Sequence, residues 1–369
     1  MKGIANLSRR LMILLMVSLM AAVMTATPAE ASQITITGST TVQPIAERIA
    51  KAYMESHRAM KVSVSGGGSG NGIKAIIDGT ADIGNASRFI KEQEIVMACG
   101  KSVYPVPFRI AYDCIVPVVH PENPVKNLTI EQLKDIYLGK ITNWSAVGGS
   151  DQPILVVSRD TSSGTYEVWE DKVMKKEAVF PGVRLEDSNE SVVRAVASQK
   201  NAVGYIGLGY LQDSVKPVSV NSINGSETTT LSGAYPLSRP LFMFTKGWPS
   251  GELLDFLNYV LDPANGQKLV KASGFVALIN AGASDQLSAG SVIQPGANDE
   301  AFEPPSTIRT AQTYLNTLNY DAGPVDGVKG RKTISAVMAF QKAYGLPVDG
   351  RLSGQLIETL SDQYRKLRK

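Results

Sequence analysis

From residue 33 the chain alternates short β-branched runs with stretches whose apolar positions recur every three or four residues. The run 33–37 reads as a strand. It is followed by Ile45, Ala46, Ile49, Ala52 and Tyr53, a stripe at helical spacing that predicts a helix to about residue 56. Residues 61–65 predict a second strand, after which Gly66-Gly67-Gly68-Ser69-Gly70-Asn71-Gly72 leads into a helix from Ile73. Residues 82–84 predict a short strand ending at Ser87-Arg88, and 112–119 and 154–158 predict two more. Tyr166, Val168, Trp169, Val173 and Met174 mark a further helix, and the glycine-punctuated run 203–210 reads as a tight strand and turn. Strand-then-helix units of this kind predict an α/β fold with mainly parallel sheets. In such sheets ligands sit beyond the carboxyl ends of the strands, where helices begin.

The pattern changes twice. At the start, Lys2, Arg9 and Arg10 precede an apolar run from Leu11 to Met24, and Ala29-Glu30-Ala31 supplies an A-x-A cleavage site. This reads as a secretory signal over 1–31, too short to span a membrane, and predicts a soluble exported protein beginning near Ser32. From residue 286 to 306 glycine, serine and proline dominate with few apolar anchors, a flexible-linker composition. Residues 307–369 follow as a small three-helix all-α domain, with helices over 308–318, 333–344 and 353–367 around Leu315, Leu318, Ile334, Val337, Phe340, Leu346 and Leu356. Within it Pro324-Val325-Asp326-Gly327 recurs as Pro347-Val348-Asp349-Gly350, two turns that call for positive φ at glycine.

Charge removes one class of function. The formal net charge is +3, of which the first 31 residues carry +2, so nothing marks the rest as a nucleic-acid binder. Arg365, Lys366, Arg368 and Lys369 read as a solvated helix end. The cysteines are Cys99 and Cys114. Export predicts a disulfide between them, worth roughly 3 kcal/mol, with two buried free thiols as the alternative. Only His57 and His120 are present and no ligand cluster accompanies them, so no metal or cofactor is expected. Trp144, Trp169 and Trp248 read as packing residues.

Two segments carry candidate chemistry. Thr37-Gly38-Ser39-Thr40-Thr41-Val42 and Arg159-Asp160-Thr161-Ser162-Ser163-Gly164-Thr165 each set small hydroxyl residues and a glycine just ahead of a helix. A helix N-terminus offers free N–H groups and partial positive charge, hydroxyls add donors, and Arg159 adds a bidentate fork suited to a tetrahedral oxyanion. The plainer alternative is that the Ser and Thr residues only cap helices.

Together with 65–73, 81–88 and 203–210, these segments resemble the periplasmic phosphate-binding proteins of ABC importers, the PstS family. The resemblance covers about residues 33–285 and implies the type II periplasmic binding fold, two α/β lobes joined by hinge strands that close on one phosphate. It implies ligand contacts from Thr40, Thr41, Ser69, Arg159, Ser163, Gly164 and Thr165, with Ser39 and Gly70 as neighbours that donate or permit close approach. The chain departs from the pattern at Ala86-Ser87-Arg88, where some members carry an acid that accepts the P–OH proton. Ser87 and Arg88 are therefore candidate contacts, Arg88 as a second cationic ligand or else paired with a surface carboxylate. Asp160 or Asp82 is a substitute acceptor, although Asp82 reads better as structural. Residues 308–360 resemble the three-helix peptidoglycan-binding module of wall enzymes, with Asn319 where glycine is usual. Asn319 also tolerates the left-handed conformation.

The expectation is a periplasmic, wall-associated, monomeric receptor for inorganic phosphate, with peptidoglycan and an inner-membrane ABC permease as partners. The alternatives are a receptor for a sulfate-like oxyanion, or a wall enzyme. Against the enzyme, the chain lacks H-E-x-x-H, and its two cysteines are better explained as a pair than as a nucleophile with histidine and asparagine partners.

Overall fold

The computed structural model describes residues 32–278 and 305–367, apart from 102, 104, 248, 328, 347, 349, 351 and 353. The expected signal segment, the linker up to residue 304 and Trp248 lie outside the described residues.

Strand β1 (Ser32–Gly38) buries Ile34 and Ile36 by simple alternation. It pairs in parallel with β2 (Met60–Gly67) on one side and β3 (Ile83–Ala86) on the other. Between them, α1 (Gln43–Ser56) packs Ile45, Ala46, Ile49, Ala50 and Tyr53 onto the sheet, while Ala52 is only half-buried. Helix α2 begins at Ser69 and ends at Asp78, so the glycine-rich segment does not merely precede the helix but forms its first turn. Gly67 and Gly68 absorb the reversal at φ +131° and +95°. Helix α3 spans Glu92–Gly100.

The sheet is mixed rather than mainly parallel. Strand β4 (Val106–Val119) is buried along most of its length and runs through both halves of the molecule. Strands β5 (Leu155–Arg159), β6 (Arg184–Glu186) and β7 (Ala202–Gly207) belong to the second half, with α4 (Gly164–Lys172) following β5 and α5 (Asn189–Ala197) preceding β7. Strand β8 (Ser238–Thr245) returns to the first half. The order is β2-β1-β3-β8-β4-β7-β5-β6, with Lys216–Pro217 also against β4. Residues 106–114 of β4 pair with β8 and residues 115–119 with β7, both antiparallel. The core divides at the same place. One apolar cluster includes Ile36, Ile45, Phe108 and Phe242, and a second includes Cys114, Tyr137, Trp169 and Tyr205. Two lobes thus meet where the chain crosses near residues 112–114 and 237–239.

This division explains why the expected disulfide is absent. Ile95 and Ala98 of α3 pack in the first cluster, whereas Cys114 is a free, buried thiol in the second, with its Sγ beside Gly225. Burial pushes that thiol up to about 12. Cys114 should therefore resist iodoacetamide in the folded protein and react fully in denaturant. Labelling of the native protein at Cys114, read by peptide mass, would contradict this placement.

Trp144 and Trp169 are scaffold, as expected: Trp169 stacks on Tyr205 at 4.2 Å, and Trp144 Nε1 donates to the Asn201 carbonyl at 2.9 Å.

The C-terminal helices are α8 (Pro305–Thr317), α9 (Arg331–Ala343) and α10 (Gly354–Leu367). The recurring Asp-Gly turns are tied alike. Gln312 Oε1 accepts from Gly327 N–H at 3.0 Å and Gln341 Oε1 from Gly350 N–H at 2.9 Å, with φ +77° and +72° at the glycines. Asn319 is left-handed at φ +64°. Ile334, expected in the core, is exposed, and Leu318 and Leu346 are half-buried. The core is built from Ala311, Tyr314, Leu315, Val337, Phe340 and Leu356. It is continuous with that of the first lobe, where the buried Tyr314 hydroxyl donates to the Val103 carbonyl at 2.8 Å.

Candidate functional site

Three helix N-termini converge on the seam between the lobes. Thr40 and Thr41 lie just before α1, Ser69 opens α2, and Ser163 caps α4, and all four are buried. Helix caps alone do not account for them. Ser163 Oγ accepts from Tyr166 N–H at 3.3 Å and is a cap, but neither α1 nor α2 has a side-chain cap. Their first-turn N–H groups have no intrahelical acceptor. Gly164 is fixed by crowding, since a Cβ there would lie 2.2 Å from Ser69 Oγ and 2.8 Å from Ser87 Oγ.

Arg159 ends β5 at the centre of this seam and is 1% exposed. Its Nε donates to the Glu186 carbonyl at 3.1 Å, and one terminal nitrogen donates to the Asp187 carbonyl at 2.8 Å and to Thr40 Oγ1 at 3.2 Å. The other terminal nitrogen is buried without a partner. Every acceptor is neutral, so the guanidinium sits in the interior with no carboxylate hydrogen-bonded to it, Asp160 and Asp187 acting on it only from a distance. Burial pulls the guanidinium below its usual range, and a buried charge without a counter-charge is costly.

The remaining residues divide by role. Ser69 Oγ accepts from Ser87 N–H at 3.0 Å and lies 3.3 Å from Ser87 Oγ, so these two hydroxyls form a pair. Ser39 Oγ accepts from Thr41 N–H at 3.2 Å and orders the turn. The Gly70 N–H is engaged across the seam, donating to the Ser162 carbonyl at 3.1 Å. Of the substitute acceptors, Asp82 receives Thr35 N–H at 2.8 Å and is structural. Asp160 Oδ1 receives Ser162 N–H at 2.8 Å and its hydroxyl at 2.5 Å.

Arg88 does not supply a free cation. Its terminal nitrogens donate to both oxygens of Glu94 at 2.8 and 2.7 Å, and its Nε pairs with Glu167 of α4, which Lys91 also reaches at 3.0 Å. Burial opposes the charge and the two carboxylates more than restore it. A guanidinium paired twice brings no net attraction to an anion. It instead clasps the first lobe to the second. Arg88→Ala leaves Glu94 without a cation and Glu167 with Lys91 alone, and should lower stability by about 3–5 kcal/mol in chemical denaturation. A free cationic ligand at this position predicts little change.

Sequence reasoning missed three residues. Arg239 of β8 pairs with Asp113 of β4 at 2.7 Å where the lobes join, and also donates to Thr41 Oγ1 at 3.2 Å and Thr165 Oγ1 at 3.0 Å. Burial raises the Asp113 carboxyl while Arg239 holds it back. Asn189 opens α5 and donates to Thr40 Oγ1 at 3.3 Å and Thr41 Oγ1 at 3.1 Å. The signal for the first two was available: β8 carries Arg239 as its one charge and β4 carries Asp113 in addition to Arg109, and a charge inside a largely apolar strand requires a partner.

Residues 24–264 match the PBP superfamily domain, and residues 305–360 match a peptidoglycan binding domain, PG_binding_1. The chain is 31% identical over 244 residues to the phosphate-binding protein PstS of Bacillus subtilis, covering 66% of this chain and 80% of that protein. The chain belongs to the PstS family of the PBP superfamily. Two solved members share its fold. One is a phosphate ABC transporter substrate-binding protein with bound phosphate from Clostridium perfringens, with 34% identity, TM-score 0.63, and coverage of 67% of this chain and 99% of that one. The other is an ABC-type phosphate transport receptor from Vibrio cholerae, with 34% identity, TM-score 0.55, and coverage of 66% and 99%. The family's two-lobed architecture is the one described above, and the convergent helix ends lie between its lobes. Among the described residues no group of His, Cys, Asp and Glu is arranged to hold a metal, and no helix is long and apolar enough to cross a membrane.

Proposed function

We propose that this protein is an extracytoplasmic receptor that closes on inorganic phosphate for ABC-type import and is held at the cell wall by its C-terminal helices. The observation that carries the reading is Arg159, a buried guanidinium with an unpartnered nitrogen and no carboxylate hydrogen-bonded to it, at a point where three helix N-termini meet. Phosphate supplies the missing charge and four acceptor oxygens. Thr40, Thr41, Ser69, Ser87, Arg159, Ser163, Gly164 and Thr165 are the proposed contacts, with Ser39 and Gly70 shaping the approach. Arg88 is moved from contact to clasp. Closure of the lobes about β4 and β8 excludes water and strengthens each interaction. The reading requires no covalent step. It places the mature protein, from about Ser32, in the periplasm as a monomer that delivers phosphate to an inner-membrane permease.

Binding to the folded state alone stabilises it by about 4 kcal/mol when ligand is a thousandfold above its dissociation constant. Phosphate should therefore raise the unfolding temperature by several degrees, whereas chloride at equal ionic strength should not. An unfolding temperature indifferent to phosphate would count against the receptor reading. The wall assignment is tested separately: the protein should sediment with insoluble peptidoglycan, and lacking residues 305–369 it should remain in the supernatant.

A further inference from the structure

The C-terminal helices differ in charge from the rest of the exported chain. Residues 305–369 hold ten Lys and Arg against five Asp and Glu, a net +5, whereas residues 32–304 hold 24 against 28, a net −4. The three helices also differ in how they are covered. Their seat on the first lobe runs through α8, which lies against α3 and β4 and sends the Tyr314 hydroxyl to the Val103 carbonyl. Helix α10 packs on α8, with Tyr364 tilted against Tyr314 at 4.9 Å. One face of α9 is left open to solvent.

That face carries a pattern that folding does not require. Arg331, Ile334, Met338 and Lys342 recur at intervals of three and four and share one side of the helix, over about 16 Å. Ile334 and Met338 are 37% and 40% exposed, although the same helix buries Ala336, Val337 and Phe340 on its inner side. The second Asp-Gly turn lies beside them: a Cβ at Gly350 would stand 3.1 Å from Ile334 Cγ2 and 3.4 Å from Met338 Cγ. Val348 of that turn is 49% exposed and extends the apolar row. Lys332 is paired with Asp321, but among the described residues Arg331 and Lys342 have no acidic partner. Two unpaired cations thus bracket an apolar strip.

We propose that this face of α9, with Val348, is the wall-binding surface and that its occupant is a peptidoglycan strand. Sugar ring faces and acetyl methyls lie on Ile334, Met338 and Val348, while carboxylates of the stem peptides pair with Arg331 and Lys342. Charge complementarity selects this occupant, because the stem peptides are anionic and the helices basic. The Arg331 fork suits a carboxylate, and the Lys342 ammonium takes a second as a point charge. A lipid surface calls for a broad apolar face, and this one holds two large apolar side chains on a helix of 13 residues. A single-stranded nucleic acid calls for aromatic rings on which bases stack, and the strip has none. Because α8 rather than α9 meets the first lobe, a strand bound here leaves the receptor seated. The inference rests on the wall assignment and names the residues of that contact.

The test is sedimentation of the protein from Ser32 with purified peptidoglycan freed of attached polymers, over a range of peptidoglycan concentrations. Arg331→Ser combined with Lys342→Ser should weaken binding about tenfold, or about 1.4 kcal/mol. Lys332→Ser combined with Lys366→Ser removes the same charge away from this face and should change binding by less than about twofold. Ile334→Ser combined with Met338→Ser should weaken binding about fivefold while circular dichroism shows unchanged helix content. Phosphate affinity should be the same in all three. Equal losses from the two charge pairs would show attraction by net charge alone and overturn the inference, as would wild-type binding by the Arg331 and Lys342 pair. Vesicles of phosphatidylglycerol and phosphatidylcholine that bind as tightly as peptidoglycan, through the same side chains, would make the face a lipid contact and overturn it as well. In each of these outcomes the wild-type protein still sediments with peptidoglycan and the wall assignment stands. Failure of the wild-type protein to sediment overturns both.

Discussion

Arg159→Ala abolishes phosphate binding and leaves the unliganded protein close to its original stability. The wild-type guanidinium offers an unpartnered nitrogen and a charge with no carboxylate hydrogen-bonded to it. A hydrogen bond to a charged group is worth about 1.5–3 kcal/mol, so loss of the two that the N–H groups of that nitrogen can make removes about 3–6 kcal/mol, a hundredfold or more in affinity. In the unliganded protein two effects oppose each other. The Glu186 and Asp187 carbonyls and Thr40 Oγ1 lose a donor, which costs about 1–3 kcal/mol for each left unmet. Removing a buried charge that no carboxylate hydrogen-bonds recovers several kcal/mol. The unfolding temperature without phosphate should therefore move by only a few degrees, while the rise on adding phosphate disappears. Arg159→Lys keeps the charge but not the planar fork, and should fall between the two. Retention of wild-type affinity in Arg159→Ala would remove the basis of the proposed site.

Tyr314→Ala releases the C-terminal helices from the first lobe. Tyr314 is fully buried, packs at a tilt against Tyr364 with ring centres 4.9 Å apart and donates to the Val103 carbonyl at 2.8 Å. Truncating a buried aromatic costs about 3–5 kcal/mol. That loss falls on a three-helix unit too small to tolerate much of it. Hydrogen exchange should quicken across α8 and α3 but not in the second lobe, whose cluster is separate. Tyr314→Phe removes only the hydroxyl and should cost about 1–3 kcal/mol, the penalty for the Val103 carbonyl left unpaired. Uniform protection across both lobes in Tyr314→Ala would show that the helices do not depend on this contact.

The parts of the structure legible in the sequence were those governed by local chemistry. Alternation in β1, the stripe on α1, the positive φ at Gly327 and Gly350, and Asn319 in the left-handed region all follow from the identity of one residue and its near neighbours. That small hydroxyl residues stand just before helices was legible for the same reason, and the anion cradle proposed for them rests on that local pattern. What could not be read were partners chosen over long sequence distances. Arg88 looked available because Glu94 and Glu167 are assigned to it only by the fold. Asn189 went unread because its amide meets Thr40 and Thr41 only when the second lobe lies on the first. Cys99 and Cys114 looked like a pair because export favours pairing and they are near in sequence, yet a long buried strand carries Cys114 into the other core.

The most direct test of the central claim is titration calorimetry of the exported protein with phosphate after removal of bound anion. The account predicts one phosphate per chain with a dissociation constant of about micromolar or tighter, and no saturable heat from Arg159→Ala under the same conditions. No saturable heat from the wild-type protein, with its fold verified by circular dichroism, would contradict the assignment of this cleft as a phosphate site.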